Sequence, residues 1–241
     1  MTTLFISDLH LEESRPDITN AFLRFLGEEA RGVEQLYILG DFFEAWIGDD
    51  EHTPLQEQVA KALRAVSEAG TELFLMHGNR DFLIGEDYCN RIGATLLDDP
   101  TVVNLYGTPT LLMHGDSLCT ADVEYQKFRA NMRDPKWQQM ILNRPLSERQ
   151  TMARQLREIS MAKNKGKEET IMDVTPDEVV KEMEAHSVQR MIHGHTHRPA
   201  VHELEANGKP ARRIVLGDWG ENVWWLEVTP DQPPTLHKRP I

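Results

Sequence analysis

The chain has 241 residues, of which 40% are hydrophobic, and this suits one large α/β domain or a domain with an inserted subdomain. The formal net charge of −13 argues against general affinity for nucleic acids, whose phosphates attract a basic surface. The two cysteines, Cys89 and Cys119, have neither metal-binding nor redox spacing, which indicates a reducing compartment. The sequence has no apparent signal peptide and no apolar run of about 18 residues, so we expect a cytoplasmic protein.

Predicted strands and helices alternate along most of the chain. In order, the apolar patterns predict strands at 4–7, 36–39, 73–76, 102–105, 110–113 and 188–192, helices at 17–31 and 54–69, and a final antiparallel pair of strands at 213–219 and 224–228. Such alternation is typical of an α/β sheet with crossover helices, in which ligands gather outside the carboxyl ends of the strands. In the loop at 45–50, Trp46 is predicted to be exposed.

Residues of metal-binding type follow five of these predicted strands in short loops, and four of these loops contain glycine. They are Asp8, His10, Asp41, Asn79, His114, His195 and His197. Glycine lets the main chain turn sharply and approach a ligand closely. Nitrogen and oxygen donors without thiolate suit manganese, iron or zinc. Seven side chains exceed the needs of one metal, so the loops predict two metals, bridged by the two carboxylate oxygens of Asp41.

The pair His195 and His197 leaves two arrangements open. If the preceding strand stays extended to its end, both imidazoles leave the turn on roughly the same side, either on one metal or one on each of two. Two adjacent metals hold an in-line displacement at phosphorus, because one lowers the pKa of a water molecule to make hydroxide and both neutralise phosphoryl charge. No Ser-His-Asp triad or P-loop competes with this interpretation.

Residues 121–170 interrupt the alternating pattern and predict a helical insertion. They hold 11 Lys and Arg against 7 Asp and Glu, a local net charge of +4. We expect a lid whose basic face meets an anionic substrate and whose apolar face, with Trp137 and Met140, meets a hydrophobic tail or a membrane. The alternative is a solvated helical excursion packed on the core.

The ordered blocks Asp-x-His, Gly-Asp, Gly-Asn-x-Asp, His-Gly-Asp and Gly-His-x-His resemble the calcineurin-like metallophosphoesterase superfamily. The resemblance implies an α/β fold of class α+β, a single domain over 1–241 built as a four-layer αββα sandwich with the helical cap inserted. By matching positions, it assigns one metal to Asp8, His10, Asp41 and His197, and the other to Asp41, Asn79, His114 and His195.

One position departs from that superfamily. Many members carry His after the Asn, where it protonates a leaving alkoxide, whereas this chain carries Arg80. Arginine does not donate a proton at neutral pH, but it clamps phosphate and balances its charge. A phosphate monoester that leaves from a pyrophosphate needs no proton, because its second pKa is about 6. The substitution therefore favours a diphosphate substrate.

Longer segments at 5–11, 39–50, 76–83, 113–120 and 192–199 resemble the UDP-2,3-diacylglucosamine diphosphatases. This resemblance implies hydrolysis of UDP-2,3-diacylglucosamine to UMP and 2,3-diacylglucosamine 1-phosphate in lipid A biosynthesis. It also implies two manganese ions per subunit and a peripheral position on the cytoplasmic face of the inner membrane. Asn79 and Arg80 would act in catalysis, and substrate contacts would fall on Asn79, Arg80, Asp122, Ser160, Asn164, Lys167 and His195. From residue type alone, each of these could be only a solvated polar side chain.

Two other functions remain open at this point. Another phosphodiesterase or nucleotide pyrophosphatase of the same fold would share the metal ligands but would not need a basic, apolar insertion. A non-catalytic scaffold with a vestigial site would be expected to have lost ligands, and all seven positions here carry competent residue types. The sequence predicts neither a protein partner nor a nucleic-acid partner.

Overall fold

A computed structural model describes the main chain of residues 1–164 and 173–241 and the side chains of residues 1–158 and 173–241. The strands are β1 (Thr3–Ile6), β2 (Gln35–Leu39), β3 (Glu72–Met76), β4 (Ala94–Leu97), β5 (Thr101–Leu105), β6 (Thr108–Met113), β7 (Arg190–His193), β8 (Ala200–Ala206), β9 (Lys209–Val215), β10 (Asn222–Val228) and β11 (Thr235–Pro240). The helices are α1 (Pro16–Glu28), α2 (Pro54–Glu68), α3 (Glu86–Ile92), α4 (Val123–Met132), α5 (Pro135–Leu142), α6 (Leu146–Asn164) and α7 (Pro176–Ala185), and a 3-10 turn spans Asp116–Leu118.

Two sheets form the centre of the fold. The first has the order β11-β10-β1-β2-β3-β4, and the second has the order β5-β6-β7-β9-β8. Strands β1 to β4 are parallel, and so are β6, β7 and β9, whereas the outer strands β5, β8, β10 and β11 pair antiparallel. The parallel strands of each sheet therefore end at a common edge, where the loops that follow them meet.

The side chains of the strands alternate between three apolar clusters. In β1, Phe5 joins the cluster between the two sheets, whereas Ile6 joins the cluster that contains Phe22 of α1. In β7, Ile192 faces the space between the sheets and Met191 joins Met183 of α7. Since successive side chains of a strand point to opposite faces, each sheet is covered on both faces. The predicted four-layer αββα sandwich is confirmed.

Helix α2 shows how local sequence determines an element that covers the first sheet. The Thr53 side chain accepts a hydrogen bond from the Gln56 N–H, and the Gln56 side chain accepts one from the Thr53 N–H. This capping box satisfies two N–H groups that the first turn leaves free, and Pro54 at the first helical position needs no such partner. Leu63 and Val59 on the apolar face are fully buried against the first sheet.

The last two predicted strands do not pair. Strand β9 lies in the second sheet between β7 and β8, and β10 lies in the first sheet between β1 and β11. Between them, Leu216 packs in the cluster between the sheets, whereas Trp219 packs against Phe22 and Phe25 of α1. The segment crosses from one sheet to the other, so the predicted antiparallel pair is wrong.

Trp46 is buried rather than exposed, with 2% of its surface accessible. Its indole packs against Phe43 and Tyr88, and its Nε1–H donates to Asp49 Oδ1 at 3.0 Å. The loop therefore buries the ring because a carboxylate three residues later satisfies its polar atom.

Helices α4, α5 and α6 follow the 3-10 turn and hold the described part of the insertion expected at 121–170. Arg149 of α6 is 3% exposed, and it donates to the Asp50 carboxylate and to the Ile47 carbonyl. An arginine is buried at low cost only when its donors are paired in this way. The pair fixes α6 to the loop that carries Trp46.

Among the described residues, no helix combines the length and the apolar character that crossing a bilayer requires.

Candidate metal centre

The predicted metal ligands have an unusual main-chain conformation. Asp8, His10, Asp41, His195 and His197 all have positive φ angles, between 49° and 67°. L-residues with a β-carbon seldom adopt this left-handed region, and such strain collects at functional sites. The loops thus turn sharply after β1, β2 and β7, rather than continuing as extended strands. His195 and His197 accordingly lie in a tight turn that begins after the extended strand β7 ends at His193.

A first group of ligands joins the loop after β1 to the loop after β7. Its members, Asp8, His10 and His197, have ligand atoms within 4.8 Å of one another. Asp8 Oδ1 lies 3.4 Å from His197 Nε2, and His10 Nε2 lies 3.4 Å from the same nitrogen. The other oxygen, Asp8 Oδ2, accepts hydrogen bonds from Ser7 Oγ and from the His195 N–H. The carboxylate is therefore held so that Oδ1 faces the imidazoles.

A second group joins loops of both sheets. Asp41, His114 and His195 have ligand atoms within 4.8 Å of one another. Asn79 Oδ1 lies between them, 3.1 Å from His114 Nε2 and 3.0 Å from His195 Nδ1. His195 and His197 thus fall in different groups, which fits the arrangement of one histidine for each of two metals.

Asp41 connects the two groups. Its Oδ2 lies 3.8 Å from His10 Nε2 in the first group and 3.7 Å from His114 Nε2 in the second. Its Oδ1 accepts the Arg80 main-chain N–H at 2.8 Å. Asp41 therefore lies where it would bridge two metals, and the hydrogen bond to Oδ1 holds its carboxylate in place.

Two glycines allow these loops to approach so closely. A β-carbon on Gly78 would overlap the Asp41 main-chain nitrogen and carboxylate. Gly40 has φ +86°, and a β-carbon there would meet the His114 ring and the Gly78 main chain. Only glycine fits both positions, so the spacing of Asp41 and His114 depends on them.

Opposite charges shift the pKa values of the carboxylates and imidazoles. Burial favours the neutral form of Asp8, but His197, His114 and His10 together lower the Asp8 pKa below its usual value. Burial likewise disfavours charge on His114, yet Asp41 and Asp8 raise the His114 pKa to about 9. His10 behaves alike: against burial, Glu44, Asp41 and Asp8 raise its pKa to about 9. The carboxylates therefore draw positive charge into the site.

The residues present fit a pair of divalent metals. Asp8 Oδ1 is buried, and it makes no hydrogen bond of good geometry among the described residues, although His197 Nε2 lies 3.4 Å away. A buried carboxylate oxygen without a partner is costly unless a cation faces it. The donors are carboxylate, amide and imidazole, which suit manganese, iron or zinc. Asp8, His10, Asp41 and His197 would hold one metal, and Asp41, Asn79, His114 and His195 would hold the other.

Arg80, the predicted phosphate clamp, borders this centre. Its guanidinium lies 3.9 Å from Glu44 Oε1, and its Nε is buried without a hydrogen-bond partner among the residues described. A buried guanidinium N–H of this kind is available to a phosphate oxygen. Asn79, the residue before it, already points its side-chain oxygen into the second group.

The remaining predicted substrate contacts are placed less completely. Asp122 is the N-cap of α4, where its Oδ1 accepts the Tyr125 N–H at 3.1 Å. Ser160 and Asn164 lie on the last turns of α6, but their side chains are outside what the structure describes. Lys167 falls outside the described residues altogether. These four contacts stay predictions.

Two buried carboxylates hold the centre in place and were not singled out from the sequence. Asp81 accepts the main-chain N–H groups of Phe42 and Gly78, at 2.7 and 2.8 Å. Asp116 accepts the Tyr125 hydroxyl at 2.6 Å and the Arg129 Nε–H at 2.8 Å, which joins α4 to the loop after His114. The sequence could have indicated both carboxylates, because Asp81 follows Asn79 by two residues in the block Gly-Asn-Arg-Asp. Asp116 likewise follows His114 by two residues in the block His-Gly-Asp.

An apolar pocket opens beside the metal centre, between the insertion and the first sheet. Its cavity volume is about 210 Å³. Asn79 and Arg80 line one end, and the insertion contributes an apolar wall of Tyr125, Phe128, Met132, Trp137, Ile141, Met152, Ala153 and Leu156. Trp137 lies in this wall as expected, whereas Met140 is 49% exposed and does not line the pocket. Met140 therefore does not face a tail in the pocket, and of the two expected contacts only the one with a membrane stays open to it.

Known proteins resemble this chain over its full length. The sequence profile of the calcineurin-like phosphoesterases matches residues 1–199. A protein of Marinobacter nauticus named UDP-2,3-diacylglucosamine hydrolase is 79% identical, over 100% of this chain and 99% of that protein. Proteins with the same name from Hahella chejuensis and Ectopseudomonas mendocina are 58% and 60% identical, over 96% and 93% of this chain and 95% and 93% of their own lengths. All seven predicted metal ligands lie within the matched range.

Proposed function

Because this chain belongs to the calcineurin-like phosphoesterases, and among them to the UDP-2,3-diacylglucosamine hydrolases, we propose that it hydrolyses the pyrophosphate bond of UDP-2,3-diacylglucosamine. The products are UMP and 2,3-diacylglucosamine 1-phosphate, in a step of lipid A biosynthesis. The observation that carries the proposal is the junction of two sites. Asn79 and Arg80 border the metal centre and also line the apolar pocket.

This junction matches a substrate with a diphosphate next to two acyl chains. The diphosphate lies at the metal centre, and the acyl chains enter the apolar pocket, where burial of each methylene group contributes about 0.8 kcal/mol. A nucleotide or a phosphoprotein would leave the apolar wall of α4, α5 and α6 in contact with water. The pocket therefore favours the acylated UDP-sugar over other phosphoesterase substrates.

The residues of the chain orient the diphosphate and balance its charge. Bound metal ions supply a water molecule of lowered pKa and neutralise charge on the phosphoryl oxygens. Asp8, Asp41 and Asn79 present oxygen ligands held by hydrogen bonds from neighbouring loops, so the site is preorganised. Arg80 clamps a phosphate oxygen. The leaving group is a phosphate monoester on either side of the bond, so no residue has to protonate it.

Manganese is the metal we propose. The donor set contains three oxygen-bearing side chains and four imidazoles, without thiolate. Such donors accommodate Mn²⁺ as well as iron and zinc, whereas soft-metal sites use sulfur. A metal competition assay separates these ions: we expect Mn²⁺ to give the highest rate of UMP release, and a higher rate with Zn²⁺ would contradict manganese specificity.

We further propose that the protein works at the cytoplasmic face of the inner membrane as a peripheral protein. The support is a set of exposed apolar side chains on the insertion: Val123, Phe128, Met140 and Leu142 are each 40% to 56% exposed. Exposed apolar patches of this kind mark contacts with a protein or a lipid. Flotation with anionic vesicles tests it, with Met140→Asp expected to reduce binding and Val201→Asp, on β8, expected to leave it unchanged. Equal vesicle binding by both variants would contradict the membrane contact.

The activity is tested by incubating the purified chain with manganese and UDP-2,3-diacylglucosamine while UMP release is followed. We expect UMP release that far exceeds hydrolysis of bis-p-nitrophenyl phosphate, a diester with neither acyl chains nor a diphosphate. Faster hydrolysis of the small diester would favour a general phosphodiesterase. Absence of both activities, with no metal bound, would favour a non-catalytic scaffold.

A further inference from the structure

Glu44 lies directly behind a predicted metal ligand. It follows the Gly40-Asp41 loop, and its side chain is 14% exposed. Its Oε2 lies 2.9 Å from His10 Nδ1, and the carboxylate can only accept, so the imidazole carries its proton on Nδ1. The lone pair of the neutral ring then belongs to Nε2, the nitrogen that faces Asp41 Oδ2 at 3.8 Å and His197 Nε2 at 3.4 Å.

The second oxygen of Glu44 faces two guanidinium groups. Oε1 lies 3.3 Å from Arg157 Nε and 3.9 Å from Arg80 Nη1. Arg157 belongs to α6 of the insertion and also pairs with Glu12 at 3.0 Å. A half-buried carboxylate keeps its charge when cations surround it, so these two arginines stabilise the ionised acceptor that His10 needs.

We propose that Glu44 is a positioning residue that fixes the orientation and tautomer of His10 for metal binding, with Arg157 of the insertion and Arg80 as its compensating charges. The proposal deepens the proposed function and rests on it only for the presence of a metal pair. A carboxylate that accepts from the far nitrogen of a ligating imidazole orients the ring and raises its basicity, and removal of such a partner typically costs 10- to 100-fold in metal affinity.

The chain offers a matched control in Glu12. It pairs with the same Arg157, yet in the part of the chain that the structure describes its carboxylate forms no hydrogen bond or ion pair with His10 or Arg80. Loss of the Glu12 carboxylate therefore weakens an ion pair to the insertion without touching the imidazole. Glu44→Ala removes both the acceptor and the charge, whereas Glu44→Gln keeps a neutral acceptor of the same size.

Manganese binding to the chelator-treated protein tests the proposal without substrate, with Mn²⁺ affinity measured by calorimetric titration. We expect Glu44→Ala to lose at least about 10-fold in affinity, Glu44→Gln to lose less, and Glu12→Gln to stay within about twofold of wild type. Near-ultraviolet circular dichroism of each metal-free variant checks that the fold is retained, and the isosteric Glu44→Gln provides the comparison if Glu44→Ala is poorly folded.

Wild-type affinity in a folded Glu44→Ala or Glu44→Gln protein would overturn the proposal. An equal loss in Glu12→Gln would also overturn it, because the effect would then come from the ion pair with Arg157. A different observation would contradict the proposed hydrolytic function. Wild-type protein that binds manganese but releases no UMP from the acylated UDP-sugar would contradict the activity, and the Glu44 comparison would still be decided by the titration.

Discussion

The Nε2 atoms of His10 and His197 lie 3.4 Å apart, although 187 residues separate the two histidines along the chain. His10 follows β1 in the first sheet and His197 follows β7 in the second. Their approach depends on the hydrogen bond from the His195 N–H to Asp8 Oδ2, which joins the two loops across the sheets. The first metal group thus exists only because both sheets end at one edge.

Substitution of His197 by Ala should remove one metal and leave the other. The second group of Asp41, His114 and His195 does not include this side chain. We expect the manganese content after dialysis to fall from two ions to one per chain. His202→Ala, on β8, is the control and should keep both ions. Retention of two ions by His197→Ala would contradict the assignment of His197 to the first metal.

Substitution of Arg80 by Ala should reduce turnover far more than metal content. The Arg80 main-chain N–H that holds Asp41 Oδ1 remains in the variant, so the metal site is kept. The lost guanidinium would have stabilised charge on the phosphoryl group, and loss of one such donor costs about 100-fold in kcat. Rate and metal content are measured on the same samples, and a parallel decrease in both would rule out the clamp role.

An aspartate at position 137 should weaken binding of the acylated substrate. Trp137 lines the pocket, and its ring centroid lies 6.1 Å from that of Phe82. The aspartate would therefore replace apolar surface with a charge inside the proposed acyl site. Burial of a large apolar side chain contributes roughly 1.5–3 kcal/mol, so we expect KM for long acyl chains to rise about tenfold or more. Val201→Asp, at an exposed apolar position on β8 far from the pocket lining, controls for added charge. An unchanged KM in Trp137→Asp would exclude the ring from the acyl site.

The two thiols should be unreactive in the native protein. Burial raises the pKa of Cys89 and of Cys119 to about 12. With this rise in pKa, the thiolate fraction at pH 8 falls from roughly a quarter in the unfolded chain to about 1 in 10⁴ in the folded chain. The thiolate is the reactive form, so the folded chain should react slowly. A disulfide reagent such as DTNB should label two thiols per chain after the protein is unfolded in guanidinium. In the native protein, it should label neither thiol rapidly. Fast stoichiometric labelling of the native protein would contradict this burial.

The site was largely predictable from the sequence, because each predicted ligand follows a strand within one to four residues. Asp8 after β1 and His114 after β6 carry this signal in their own loops. What the sequence does not carry is the hydrogen bond that holds Asp41 Oδ1, since its donor, the Arg80 N–H, belongs to another loop. The same holds for Glu44, whose role depends on His10, 34 residues earlier in the chain.

The fold was less completely predictable. Strand β9 and strand β10 follow each other closely, which favours an antiparallel pair, but Leu216 and Trp219 pack into different apolar clusters and separate them. The predicted exposure of Trp46 is wrong, because burial of an indole depends on an acceptor for its N–H. Here that acceptor is Asp49, and the sequence does not state its distance from the ring. Strands β4, β8 and β11 and helices α3 and α7 were not anticipated.

The central claim is that two metals, joined at Asp41, act on the diphosphate. UMP release from UDP-2,3-diacylglucosamine by wild type and Asp41→Asn, first in chelating buffer and then with added manganese, tests it most directly. The asparagine amide oxygen can still accept the Arg80 N–H, but the negative charge that Asp41 places between the two groups of metal ligands is lost. Under chelation, we expect no UMP release by either protein. With manganese, we expect the rate of Asp41→Asn to be more than about 100-fold below that of wild type. This loss exceeds the range typical of residues that only hydrogen-bond to a metal ligand. Release by wild type under strict chelation, or an undiminished rate in Asp41→Asn, would contradict the account.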